Sequence, residues 1–81
     1  MKLNETVEMM NSADYKERFK AEYEQLRIRM DGLCNMLEKY KAGALSFKPS
    51  CSYDLLNGQL KAMKLYASYL KERAKIEKID L

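Results

Sequence analysis

The chain has no histidine and no tryptophan, and only one proline, three glycines and two cysteines in 81 residues. Without histidine it lacks the side chain that most often serves as general base near neutral pH and the commonest metal ligand, so no enzymatic activity, metal or other cofactor is expected. Cys34 and Cys51 have sixteen residues between them and no nearby histidine, which fits neither a zinc site nor a CxxC redox pair, although a disulfide between them stays geometrically open. No stretch approaches the roughly twenty apolar residues that cross a bilayer. Met1 to Met10 carries Glu5 and Glu8 and lacks the apolar centre of a secretory signal. These absences predict a soluble chain without membrane partners, in a reducing cytoplasm, with both thiols free.

Scarce helix breakers, 47% apolar and 33% charged residues describe a helix-rich folded protein rather than a disordered tail. The length fits one domain, close to the lower limit for building a core alone. Fifteen Lys and Arg against twelve Asp and Glu give +3. That balance tolerates an anionic ligand, but no DNA- or RNA-binding motif accompanies it, and no specific nucleic-acid partner is expected.

Tyr15, Phe19, Tyr23, Leu26, Met30, Leu33, Leu37 and Tyr40 step by 4, 4, 3, 4, 3, 4 and 3, the spacing of a helical stripe. Asn11 or Ser12 is the expected cap, Asp14 lies in the expected first turn, and Gly43 takes the C-terminal position. Asp14 with Arg18, Arg18 with Glu22, Lys20 with Glu24 and Arg27 with Asp31 stand four apart as ion pairs. A second stripe runs Leu56, Leu60, Met63, Ala67, Leu70 and Ala74, with Ser50, Cys51 or Ser52 as cap and Asp54 in the first turn. Each helix is expected to hold about 28 residues and span about 42 Å.

Between them Pro49 keeps Lys48 out of a helix, and Leu45 and Phe47 are expected to cover the end of the helix pair. Leu3, Val7 and Met10 share the face of a short, mobile N-terminal helix. Gly32 and Gly58 interrupt the long helices and are expected to mark a close backbone approach or a kink.

The predicted fold is all-α: an antiparallel two-helix hairpin with a short N-terminal helix, assembling into a helical-bundle oligomer. Residues 1–11 form an N-terminal extension or short helix. Residues 12–81 form the helical-hairpin domain, with helix 12–42, loop 43–51 and helix 52–79. Oligomerisation is expected because Leu55, Ala62, Tyr66, Tyr69 and Ile76 lie about 100° to one side of the second stripe and require a partner, most simply further copies of the chain.

Two groups of side chains are candidates for ligand binding. Lys61, Lys64, Lys71, Lys75 and Lys78 form a lysine stripe that reads either as a solvated face or as a surface for phosphates or an acidic partner. Arg27, Arg29, Tyr66, Tyr69 and Arg73 combine guanidinium and phenol groups that can hold a phosphate and stack on a base, and packing with interface salt bridges explains them equally well. The candidate ligand-binding set is therefore Arg27, Arg29, Tyr66, Tyr69, Arg73, Lys61 and Lys64. Met30 and Met63 read as core fillers and Cys34 as a small buried apolar group, whereas Cys51 stands near a helix start, where a thiol pKa can fall.

The second helix, with Leu55-Leu56, Gln59, Ala62-Met63, Tyr66, Leu70, Arg73-Ala74, Ile76-Glu77, Ile79 and Leu81, resembles a family of small phage and prophage proteins related to a crAss-like phage gene product. The resemblance extends over roughly residues 10 to 81, through the Phe19 to Leu37 helix and the Ala42 to Cys51 loop. Met10-Asn11-Ser12 resembles the usual start of that family, which makes Met1 to Met9 an extension. The resemblance implies a phage accessory role in the host cytoplasm and no catalytic residues. It also implies a fold-level likeness to the helical sponges that sequester cyclic nucleotide messengers in anti-CBASS and anti-Thoeris systems. The expected function is sequestration of a cyclic oligonucleotide immune messenger by a homo-oligomer. The alternative is an inhibitor or adaptor that docks a host defence protein, in the manner of an anti-CRISPR, through an exposed helix face.

Overall fold

The structure is a computed structural model that describes residues 2–81; of the expected N-terminal segment 1–11, Met1 lies outside the described residues. A 3₁₀ turn over Leu3–Thr6 runs into a single-turn helix α1, Val7–Met10, followed by two long helices, α2 (Tyr15–Ala42) and α3 (Tyr53–Glu77). No strand occurs among the described residues.

α2 begins at Tyr15 rather than residue 12, and its cap falls two residues after Ser12. Asp14 is the cap: its backbone is extended and its carboxylate accepts from the Lys16 amide at 3.0 Å. Ser12 acts one step earlier, its hydroxyl accepting from the Asp14 amide at 3.0 Å. The helix ends at Gly43, whose φ of 70° lets the Ala44 amide fold back to the Lys39 carbonyl at 2.8 Å. That left-handed position is the one where the absent Cβ matters. Gly32 and Gly58 have no such role: a methyl group added at either meets nothing within 4 Å, so neither marks a close approach within the chain.

α3 is capped by Ser52, whose hydroxyl accepts from the Leu55 amide at 3.2 Å. The helix stops at Glu77 rather than running to residue 79. Lys78 turns left-handed at φ 57°, the Ile79 amide returns to the Ala74 carbonyl at 2.8 Å, and the Ile79 side chain enters the core. The apolar contact between Ile79 and the last helical turn compensates for placing a residue with a Cβ in this conformation.

α2 and α3 pack along their stripes, and their ends show that they run in opposite directions. Tyr15 at the start of α2 meets Arg73 near the end of α3. Tyr40 at the end of α2 meets Tyr53 at the start of α3, with ring centroids 5.6 Å apart in an edge-on arrangement. Phe19, Leu26, Ala67, Leu70, Ala74 and Ile79 form the central cluster, with Tyr23, Met30 and Met63 packed against it. At the loop end, Leu45 is half-buried but Phe47 is exposed. The expected apolar cover there is therefore partial, and the Tyr40–Tyr53 pair fills the junction.

The N-terminal segment lies on the far side of α2, and its attachment is polar. Thr6, not the exposed Leu3, Val7 and Met10, is the buried residue. Its hydroxyl donates to the Leu3 carbonyl at 2.7 Å and accepts from Gln25 Nε2 at 3.0 Å. Ala21 of α2 is fully buried on the same α2 face as Gln25. Gln25 also reaches the Met10 sulfur.

The resulting molecule measures 43 × 25 × 16 Å with a radius of gyration of 15.1 Å, against about 12 Å for a compact globule of this length. Such a thin rod has a large surface for its core, and much of the apolar surface on α3 remains exposed.

Candidate functional site

Helix geometry divides the candidate ligand-binding residues between two edges of the helix pair. At about 100° per residue, Arg27 and Arg29 point about 160° apart around α2, so the two guanidinium groups flank opposite sides of its core stripe. On α3, Lys64 lies about 140° from Tyr69 and about 160° from Tyr66, whereas Tyr66 and Arg73 lie about 20° apart. The Tyr15–Arg73 contact assigns the sides: Arg29, Tyr66 and Arg73 share one edge, with Tyr69 next to them on the outer face of α3. Arg27, Lys61 and Lys64 belong to the other edge. Within one chain the seven residues do not converge on one site.

On the first edge, Arg73 is held by three neighbours. Its Nη2 donates to the Tyr15 hydroxyl oxygen at 2.7 Å, its guanidinium carbon lies 4.9 Å from the Phe19 ring centroid, and Nε stands 3.5 Å from the Glu77 carboxylate. Tyr15 and Phe19 in turn meet edge-on with centroids 6.2 Å apart. This stack fixes the direction of a cation that is still half-exposed, the preorganisation an anion receptor needs. Tyr69 and Tyr66 are exposed one and two turns before Arg73 on α3, and Arg29 is exposed on the same edge about 15 Å along α2 from Phe19.

On the other edge, Arg27 is engaged within its own helix. Nη2 lies 2.8 Å from the Glu24 carboxylate and Nη1 lies 3.4 Å from Asp31. The hydrogen bond and charge of Glu24 raise the Arg27 pKa further above its ordinary value. Of the four expected ion pairs, Arg27 with Asp31 forms, while Arg18 instead donates to the Ser12 carbonyl at 2.7 Å and ties down the start of α2. Arg27, its charge already met by two carboxylates, is a poor candidate to receive a ligand anion.

This edge also contains a groove of about 430 Å³, into which Tyr23, Ser68, Lys71, Lys75, Ile79 and Leu81 project. Its ammonium groups come from the lower half of the lysine stripe; Lys61 and Lys64 are not among its lining residues. Glu72, also on the groove wall, pairs with Lys75 at 3.6 Å and offsets part of the positive charge. A second hollow of about 330 Å³ lies under the loop between Tyr40 and Phe47.

Sequence periodicity missed Tyr15 and Tyr23 as site residues because both occupy stripe positions and read as core. Both lie at the wet margins of the packed stripe, and a usable signal was present: a phenol at a stripe position keeps its hydroxyl toward water or a polar partner, where leucine would be buried whole. Cys34 is half-buried and Cys51 exposed, and both are free thiols. Among the described residues no cluster of His, Cys, Asp or Glu is arranged to hold a metal ion, and no helix is long and apolar enough to cross a membrane.

The described chain is all-helical, with cations and phenols along the edges of its helix pair. The sequence places it more closely: residues 13–76 match the model of the Sequestin family, and the chain belongs to that family. The matched span begins just before the Asp14 cap and ends in the last turn of α3. No curated protein and no solved structure matches the chain.

Proposed function

We propose that this protein is a non-enzymatic sponge that binds and sequesters a cyclic oligonucleotide immune messenger, encoded by a phage and acting in the host cytoplasm as an assembly of helical hairpins. Membership of the Sequestin family, a name that denotes sequestration, is the observation that carries the reading. The geometry supports a narrower site than the sequence indicated. Arg73, held by Tyr15 and Phe19, and Arg29 supply charge for phosphates, and Tyr66 on the same edge supplies a face for a base. Each copy provides one wall, exposed to solvent, and a second copy closes the pocket. Sequestration requires tight binding without turnover, so no catalytic residue is assigned.

The test is titration calorimetry of the purified protein with a panel of cyclic di- and trinucleotides, followed by heating of the complex and chromatography of what is released. Saturable binding and recovery of intact nucleotide support the reading. Absence of heat with every member of the panel, or recovery of a cleaved product, ends it. The exposed apolar face of α3 favours a second reading, an inhibitor or adaptor of a host defence protein. That reading predicts a stoichiometric protein partner from host lysate and no nucleotide binding.

A further inference from the structure

The outer face of α3, turned away from α2, carries Leu55, Leu65, Tyr69 and Ile76 with 64, 58, 63 and 79% of their surfaces exposed, and Tyr66, 45% exposed, borders it on the flank next to α2. Leu55, Ala62, Tyr69 and Ile76 recur every seven residues, the repeat that keeps one helix face against another over many turns. This seam runs nearly the whole of the 25-residue helix. α2 buries a different stripe of α3, the one containing Leu60, Ala67, Leu70 and Ala74, so packing within the chain leaves the seam uncovered.

The geometry points to a second copy of this chain as the occupant, seated α3 against α3 in antiparallel, two-fold related fashion about the region of Leu65 and Tyr66. Three features favour that occupant and that direction. Leu55, Leu65, Tyr69 and Ile76 together form an apolar face that can match itself under two-fold symmetry. After Leu55 the seam is small at Gly58 and Ala62, and it is bulky in its second half, at Tyr69 and Ile76. Antiparallel pairing lays Ala62 of each copy against Tyr69 of the other and Leu55 against Ile76, whereas parallel pairing stacks Tyr69 on Tyr69 and leaves a gap beside Gly58 and Ala62. The charges along one flank of the seam agree: Lys61 and Glu72 lie about 20° apart around α3, and antiparallel pairing brings Lys61 of one copy near Glu72 of the other. Parallel pairing would set that flank of each copy against the opposite flank of the other, and Lys61 would not meet Glu72.

This arrangement also gives Gly58 a use that the single chain does not: the helix is thinnest where the other copy's bulky half approaches. Tyr66 and Arg73 stay on the flank next to α2, so each dimer has two equivalent clefts bordered by those side chains. The inference rests on the sequestering reading only for the use of these clefts; the seam itself is a claim about association.

Light scattering of the full chain at micromolar concentration is expected to give twice the 9.5 kDa chain mass. Leu65→Lys and, separately, Ile76→Lys are expected to halve that mass with helical circular dichroism unchanged, because both side chains are exposed in the single chain. A wild-type monomer overturns the proposal, and so does a dimer that survives both substitutions. Direction is read in a Cys34→Ser, Cys51→Ser background with a short bis-maleimide. A mixture of Leu55→Cys and Ile76→Cys proteins should cross-link between the two variants, and neither variant should cross-link with itself. Self-cross-linking of either variant alone overturns the antiparallel arrangement. Calorimetry with cyclic di-AMP and cyclic di-GMP on the same wild-type samples separates the two claims: an intact dimer without nucleotide binding leaves the interface standing and counts against the sequestering reading.

Discussion

Arg73 donates a 2.7 Å hydrogen bond to the hydroxyl of Tyr15, 58 positions away in sequence. The contact joins the start of α2 to the last turns of α3 and turns a cation toward one edge of the helix pair. Tyr15→Phe should lower stability by about 1 kcal/mol or less, the scale of one solvent-accessible hydrogen bond. Arg73→Ala should cost about 1–2 kcal/mol because it also removes the contact over Phe19. In urea denaturation the double variant should cost less than the sum of the single losses, since both remove the same bond. Strict additivity would mean that the contact does not hold the helices.

The end of α3 combines an unfavourable backbone with a favourable side chain. Lys78→Gly should stabilise the fold by about 0.5–1 kcal/mol by relieving the left-handed conformation, visible as a melting temperature several degrees higher. Ile79→Ala should cost about 2–4 kcal/mol, because it empties a core position that α3 reaches only after its last turn. A neutral Ile79→Ala variant would mean that the tail is not docked.

Attachment of the N-terminal segment depends on one buried hydroxyl. Thr6→Val keeps the shape and removes both the donor to Leu3 and the acceptor for Gln25, leaving the Gln25 amide without that partner. The expected cost is about 1–2 kcal/mol, accompanied by faster amide hydrogen exchange in residues 3–10 and on the α2 face around Ala21, with the α2–α3 core unaffected. Unchanged exchange in the N-terminal segment would show that it is held by other contacts.

The separation of the two edges makes the ligand reading specific. Under the sequestering proposal, Arg29→Ala and Arg73→Ala should each weaken nucleotide binding about tenfold or more, the loss of a charge-assisted contact to phosphate. Lys61→Ala and Lys64→Ala lie on the other edge and should change affinity less than threefold, through long-range charge alone. Equal losses from all four substitutions in calorimetry would return the candidate site to a single surface of diffuse positive charge.

Periodicity alone was sufficient for the helical class and for most of the core. Phe19, Leu26, Leu37, Leu60, Ala67, Leu70 and Ala74 are stripe positions and all are buried, because a 3.6-residue period places them on one side of a helix whatever that side meets. Gly43 was legible as the end of α2 and Ser52 as one of three candidate caps at the start of α3, since left-handed backbone and an unpaired amide have local remedies written in single residues. The Sequestin membership likewise rests on sequence alone.

What only the tertiary structure decided is how the faces of different helices line up. Arg27 and Arg29 are neighbours in the chain yet lie on opposite edges, while Tyr15 and Arg73 are far apart and share one. Nor does any local rule make Thr6 the anchor of the N-terminal segment or send Ile79 back into the core. Local pattern sets which side of a helix is apolar; the rotation and direction of the helices against each other, fixed by packing over the whole contact, determine which side chains meet at its margins.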